Sequence, residues 1–165
     1  MLSAFDVADY FLKLADDEAG EYLSNLKLQK LLYYAQGFHL ATYNEPIFDA
    51  PVLAWTYGPA VPPVYHKFGE NTHYGIKPPD DTDFSFISQD VRELLDDVYY
   101  VYGQFSGWKL SELTDKEPPC ADTEIGEEIP YDRMKAYFKT QLEEQDDGEK
   151  EKGRQGEKDT CSDRT

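Results

Sequence analysis

The stretch between residues 26 and 43, LKLQKLLYYAQGFHLATY, constrains this chain more than any other. It contains no proline, and its apolar residues recur every three or four positions, which predicts one uninterrupted helix of about five turns. Asn25 precedes it as a side-chain acceptor of the kind that caps helices, and Asn44–Glu45–Pro46 breaks it. Leu28, Leu31, Leu32 and Ala35, with Phe38 or His39, form the stripe that has to be covered, while Lys27, Lys30 and Tyr34 fall on other faces. Gly37 inside such a helix costs ~1 kcal/mol relative to alanine. Its presence implies that another element passes close to the backbone there.

The elements available to cover this helix are mostly helical themselves. Ser3 followed by Asp6 has the capping-box pattern, and Val7, Ala8, Phe11, Leu14 and Ala15 then recur at helical spacing, predicting a first helix over 4–16. Between Pro46 and Pro59 the pattern turns extended through Ile47, Phe48, Val52, Leu53, Trp55 and Tyr57. Asp49–Ala50–Pro51 is the expected turn and Gly58–Pro59 the close of a short extended or β-hairpin insert near 46–58. Pro62–Pro63 opens a third helix bearing Val64, Tyr65 and Phe68 and ending at Gly69. Residues 70–87, rich in Asn, Gly, Pro and Asp, read as a loop. Ser88 caps a fourth helix with Val91, Leu94, Leu95, Val98 and Val101 or Tyr102 on its core side. Ser106 caps a shorter helix through Leu113, with Trp108 and Leu110 available for packing, and 114–130 reads as an acidic, proline-containing loop. Pro130 begins a last helix, about 131–142, anchored by Met134, Tyr137 and Phe138. Beyond Leu142 the chain is charged and polar without apolar periodicity, and such a segment cannot offset its ordering entropy. The expected organisation is a mainly α domain over 1–142, a compact bundle of five or six helices, with a disordered charged tail over 143–165.

The formal net charge is −17, and residues 1–139 carry 24 acidic against 11 basic side chains, so the acidity belongs to the folded part. A field of that sign repels nucleic-acid phosphate, and no direct nucleic-acid partner is expected. It would steer in a basic protein, or it serves solubility alone. The N-terminus, MLSAFDVADYFLKLADD, has neither a basic start nor a long apolar run, and nothing in the chain approaches the ~20 apolar residues of a membrane span. Two cysteines, Cys120 and Cys161, do not make a disulfide framework, and a cytoplasmic location is expected.

A search for chemistry finds little. The glycines form no phosphate-binding loop, and His39, His66 and His73 have no metal-ligand spacing. Cys120 lies among Asp122 and Glu124, which would raise its thiol pKa, the wrong direction for a nucleophile. Asp90, Glu93 and Asp97 sit at helical spacing away from the apolar stripe, as a solvated face does, and the acidic spacing fails the EF-hand pattern. No enzyme activity, cofactor or metal is expected.

Residues 26–43, followed by Pro46–Ile47–Phe48–Asp49, Ala54–Trp55–Thr56–Tyr57–Gly58–Pro59 and Val61–Pro62–Pro63–Val64–Tyr65–His66–Lys67–Phe68, resemble the signature of the Panacea domain family, also described as GepA-like or SocA-like. The likeness resumes at Leu110–Ser111–Glu112–Leu113–Thr114, Ile129–Pro130 and Tyr137–Phe138, and covers roughly 3–139. It departs at Phe38, where the family often has Trp, and at Asp115 and Pro119–Cys120, where His and Pro-Trp are common. The resemblance implies a bacterial or phage-borne antitoxin that neutralises a cognate toxin protein by direct contact. One branch of the family implies instead a proteolytic adaptor that delivers its partner to a cytoplasmic AAA+ protease.

The aromatic insert has two readings. Trp55 packs it onto the bundle, or Tyr33, Tyr34, Trp55, Tyr57 and Tyr65 line a groove for the partner, with Lys30, Gln36 and His39 adding polar specificity. Aromatic anchors in a desolvated patch contribute ~2 kcal/mol or more each to an interface. Two rival functions stay open at this point: a metal-assisted hydrolase using the acidic clusters, and a transcriptional regulator, against which the charge argues.

Overall fold

A computed structural model describes residues 1–69 and 75–155, with side chains through 144. The elements run α1 (Ala4–Ala19), α2 (Asn25–Tyr43), β1 (Leu53–Trp55), β2 (Gly58–Ala60), α3 (Pro62–Phe68), α4 (Gln89–Tyr102), α5 (Gly107–Asp115), α6 (Pro118–Ala121) and α7 (Tyr131–Gln155). The expected mainly helical bundle with a small hairpin is the observed architecture, with seven helices among the described residues where five or six were expected.

α2 is the axis. Of its 19 residues 16 are buried, so it has no solvent face, and α1, α3, α4, α5, α7 and β2 all pack against it. The single inward stripe expected from the sequence is therefore incomplete: Lys27, Lys30 and Tyr34 are buried too. Tyr34 is covered by Tyr102 of α4, whose ring stacks on it at 3.8 Å between centroids. Gly37 faces the ring of Phe138 on α7, and a Cβ added there would overlap that ring. This is the close approach the glycine implied.

The helix starts follow the local code. Ser3 Oγ accepts from the Asp6 amide at 3.0 Å while Asp6 Oδ2 accepts from the Ser3 amide at 3.0 Å, completing the capping box. Ser88 and Ser106 cap α4 and α5 as expected. The cap of α2 is Ser24, one residue earlier than expected, with its Oγ accepting from the Lys27 amide at 3.1 Å. Asn25 lies inside the first turn instead, and its side-chain amide donates to Tyr65 O at 3.0 Å. Gly20 and Asn44, both left-handed with φ 62°, end α1 and α2.

The hairpin turns later than expected. Register Trp55↔Gly58 makes Thr56–Tyr57 a two-residue turn, and Gly58–Pro59 belongs to β2. The 114–130 segment is also not all loop. It contains α6, and residues 126–129 run along β1, with Gly126 N donating to Ala54 O at 2.6 Å and Ala54 N to Glu127 O at 2.9 Å. The outer edge of β1 is thus engaged by the protein itself. Trp108, expected to pack, is 64% exposed, because α5 buries Leu110, Ser111 and Thr114 on a different face. α7 continues past 142 to Gln155. His73, part of the 70–87 loop and much of the expected 143–165 tail lie outside the described residues.

Candidate functional site

Where the start of α2, the hairpin turn, α3, the start of α5 and the Ile125 loop meet, they enclose an open cleft of about 680 Å³. Its walls are aromatic. Trp55 and Tyr65 meet edge to face at 5.1 Å between ring centroids, and Tyr57 and Trp108 do the same at 5.3 Å. Tyr57, Trp108 and Ile125 are 57%, 64% and 65% exposed, so three of the large apolar side chains the chain leaves in solvent gather at one place. Isolated exposed apolar residues need no explanation, but a contiguous group does.

Polar side chains fix this wall onto α2. Gln29 Oε1 accepts from the Val61 amide at 2.8 Å, and Gln29 Nε2 donates to Asn25 Oδ1 at 2.8 Å. From the α5 side, Ser111 Oγ donates to Tyr57 O at 2.6 Å, which pins the hairpin turn. The cleft is therefore pre-formed, which reduces the ordering cost of binding.

Lys30 lies at its floor, 2% exposed. The stem runs beneath Gly58, where a Cβ would come within 2.8 Å of Lys30 Cε, and the backbone there has φ +105°. Nζ donates to Pro59 O at 3.2 Å. Burial pulls its pKa down to about 8, with the nearby Cys120 and Asp115 pulling the other way.

A second polar cluster sits deeper, around Glu117 just before α6. Tyr33 and Tyr34 donate their hydroxyls to its Oε1 and Oε2 at 2.9 and 2.8 Å, and Tyr137 adds a third hydrogen bond. Burial pushes the Glu117 carboxyl up to about 7 even though the three hydroxyls act to lower it. The Tyr33 and Tyr34 phenols are raised well above their ordinary range, by burial first and then by Glu117. Burial also pushes the Cys120 thiol up to about 12, with Glu117 adding to it. The direction matches the sequence expectation, but the cause is burial and Glu117 rather than Asp122 and Glu124. A thiol so held is a poor nucleophile.

Of the eight residues proposed from the sequence, Lys30, Trp55, Tyr57 and Tyr65 come together around the cleft. Tyr33 and Tyr34 are fully buried on Glu117. Gln36 is spent on the backbone, donating to Phe48 O at 2.9 Å and accepting from the Ile47 amide at 2.8 Å. His39 pairs its Nδ1 with Glu45 O at 2.7 Å, near the far end of α2. Sequence reasoning missed Trp108 and Ile125 as cleft residues. The signal for Trp108 was its helical phase, which sets it off the face shared by Leu110, Ser111 and Thr114. Among the described residues, no group of three or more His, Cys, Asp or Glu side chains is placed to hold a metal ion. None of the described helices is long and apolar enough to cross a membrane.

The fold is that of a mainly helical domain with a small hairpin, and its cleft presents an aromatic surface. Residues 28–120 match the family described as antitoxin SocA-like, Panacea domain, and the chain belongs to that family. It is similar to the antitoxin SocA of Caulobacter vibrioides (strain NA1000 / CB15N), with 31% identity across 53% of this chain and 52% of that protein. The chain thus spans about half the length of the curated relative it matches. No solved structure matches it.

Proposed function

We propose that this protein is an antitoxin that neutralises a cognate toxin protein by direct binding at the aromatic cleft, without catalysis. The carrying observation is the meeting of Tyr57, Trp108 and Ile125, all more than half exposed, around a pre-formed cleft in a domain of an antitoxin family. Exposed aromatics of this kind are the residues in which interface energy concentrates.

The charge supports a basic toxin. Asp122, Glu124, Glu127 and Glu128 are exposed beside Ile125 and make no ion pair among the described residues. They add to a net −17 field that steers a basic surface to the cleft, so the association rate falls steeply as salt rises. Delivery of the toxin to a cytoplasmic AAA+ protease would extend the same contact, with the charged residues 143–165 as the segment offered to the protease.

The test is Trp108→Ala and Tyr57→Ala, two exposed positions whose truncation leaves the core intact. Both variants keep the wild-type melting temperature and lose toxin co-purification and growth rescue, with affinity down at least about thirtyfold, as expected of ~2 kcal/mol anchors. Unchanged rescue by both folded variants would remove the cleft from the mechanism.

A further inference from the structure

The rings of the cleft stand at right angles in pairs. Trp55 meets Tyr65 at 83° and Tyr57 meets Trp108 at 84°, and the second corner is open to solvent because both its rings are more than half exposed. An aromatic face carries the negative end of the ring quadrupole, so walls of this kind attract a cation. Lys30 does not fill that place. Its stem closes the floor, but the ammonium is turned beneath Gly58, where Nζ donates to Pro59 O and its neighbours are Thr114, Asp115 and Cys120. The rim supplies negative charge. Glu128 pairs antiparallel with Leu53, and side chains alternate along a strand, so Leu53, Trp55 and Glu128 share one face of the hairpin. Trp55 is the diagonal neighbour of Glu128 on that face, within reach of a long side chain. Glu124 flanks Ile125 on the same loop, and both carboxylates are exposed without an ion pair among the described residues. Three cations of the surrounding elements are committed elsewhere. Lys109 pairs with Glu112 at 3.2 Å, Arg133 donates to Asp122 O and Thr123 Oγ1 at 2.8 and 2.7 Å, and Lys67 lies over the Phe5 and Phe68 rings.

We infer that the cleft receives an arginine side chain of a basic partner protein, its guanidinium against the aromatic faces and its charge met by Glu124 and Glu128. This deepens the proposal above, resting on the cleft as contact site and naming the residue the contact selects. Charge complementarity sets the sign of the occupant: the rim is acidic and the whole chain carries −17. The rings then choose between the two common cations. A guanidinium is planar, weakly hydrated and stacks on aromatic faces, whereas a lysine ammonium is a compact, strongly hydrated point charge. A neutral apolar side chain would cover the same walls but leave the carboxylates without a partner. Tyr57, Trp108 and Ile125 keep the rim open, so a side chain carried on a folded partner can enter.

The protein's two tryptophans, Trp55 and Trp108, both line the cleft, so intrinsic tryptophan fluorescence reports on it directly. The full chain is titrated at one ionic strength with acetyl-Gly-Gly-Arg-Gly-Gly-amide and with the same peptide carrying lysine or citrulline in place of arginine. Lysine has the same charge and feels the same field, so its comparison isolates stacking; citrulline keeps the shape and isolates charge. The arginine peptide binds about fivefold or more tighter than either. Trp108→Ala removes the preference over lysine. The double variant Glu124→Gln, Glu128→Gln, at two exposed positions, narrows the gap between arginine and citrulline about twofold or more. Arginine binding no tighter than lysine, arginine binding no tighter than citrulline, or no binding of the arginine peptide would each overturn the assignment. An unchanged gap in the double variant would overturn the part given to the two carboxylates. The three wild-type titrations need no variant, so they stand however the variants fold. If the arginine peptide binds as stated but no toxin co-purifies, the cleft assignment survives and the antitoxin reading falls. If Trp108→Ala abolishes toxin binding while the three peptides bind alike, the reverse holds.

Discussion

Replacing Lys30 by methionine exposes what this buried charge costs the free protein. Folding lowers the Lys30 ammonium from 10.5 to about 8, which corresponds to about 3 kcal/mol of destabilisation when it is charged at pH 7. Methionine fills nearly the same space without the charge, but leaves Pro59 O without its donor, a loss of about 1.5–3 kcal/mol. The two nearly cancel, so Lys30→Met is about as stable as the wild type at pH 7, or up to about 1.5 kcal/mol more stable. Its pH dependence is the sharper signature. A lysine whose folded value is lowered gains stability as pH rises from about 8 towards 10.5, so the wild type gains on the variant by about 1.4 kcal/mol per pH unit within that window. The groups facing Nζ, Cys120 on α6 and Asp115 at the end of α5, are present in both proteins. Urea unfolding of both at pH 7, 8, 9 and 9.5 measures it. A variant more than about 2 kcal/mol less stable at pH 7, with no relative change on raising the pH, would show that Lys30 is fully satisfied in the core, and the reasoning would fail.

Glu117 behaves in the opposite sense. Its folded value, about 7, lies above its ordinary 4.5, so its contribution is fully present below 4.5 and lost as pH rises through about 7. The unfolding free energy of the wild type relative to Glu117→Gln should therefore fall by up to about 3 kcal/mol between pH 5 and 8, measured by urea denaturation. Gly37→Ala places a methyl against the Phe138 ring, so despite a helix-propensity gain of ~1 kcal/mol it destabilises by about 1–3 kcal/mol, read from the urea midpoint.

What the sequence revealed and what it concealed divide along local and non-local lines. The capping box of Ser3, the caps at Ser88 and Ser106 and the Pro62–Pro63 start of α3 depend on residues within a turn of each other. The burial of α2 on all sides does not. Lys27, Lys30 and Tyr34 are covered by Gly103, β2 and Tyr102, which a helical period along α2 cannot announce. The hairpin turn was misplaced because Asp49–Ala50–Pro51 carries the stronger local turn chemistry. The observed turn, Thr56–Tyr57, is set instead by β1–β2 register and the positive φ of Gly58. The cleft follows the same rule: Lys30, Trp55, Tyr57 and Tyr65 come from three neighbouring motif stretches, 26–43, 54–59 and 61–68, and are legible together. Trp108 and Ile125 arrive from α5 and the loop beyond α6 and are not.

The most direct test of the account is to express the reading frame adjacent to this protein's gene alone, then together with the wild-type chain and with Trp108→Ala. The account predicts that the neighbour arrests growth, that the wild type restores it through a co-purifying complex, and that Trp108→Ala restores nothing while remaining folded. A harmless neighbour, or rescue without any complex between the two proteins, would contradict it.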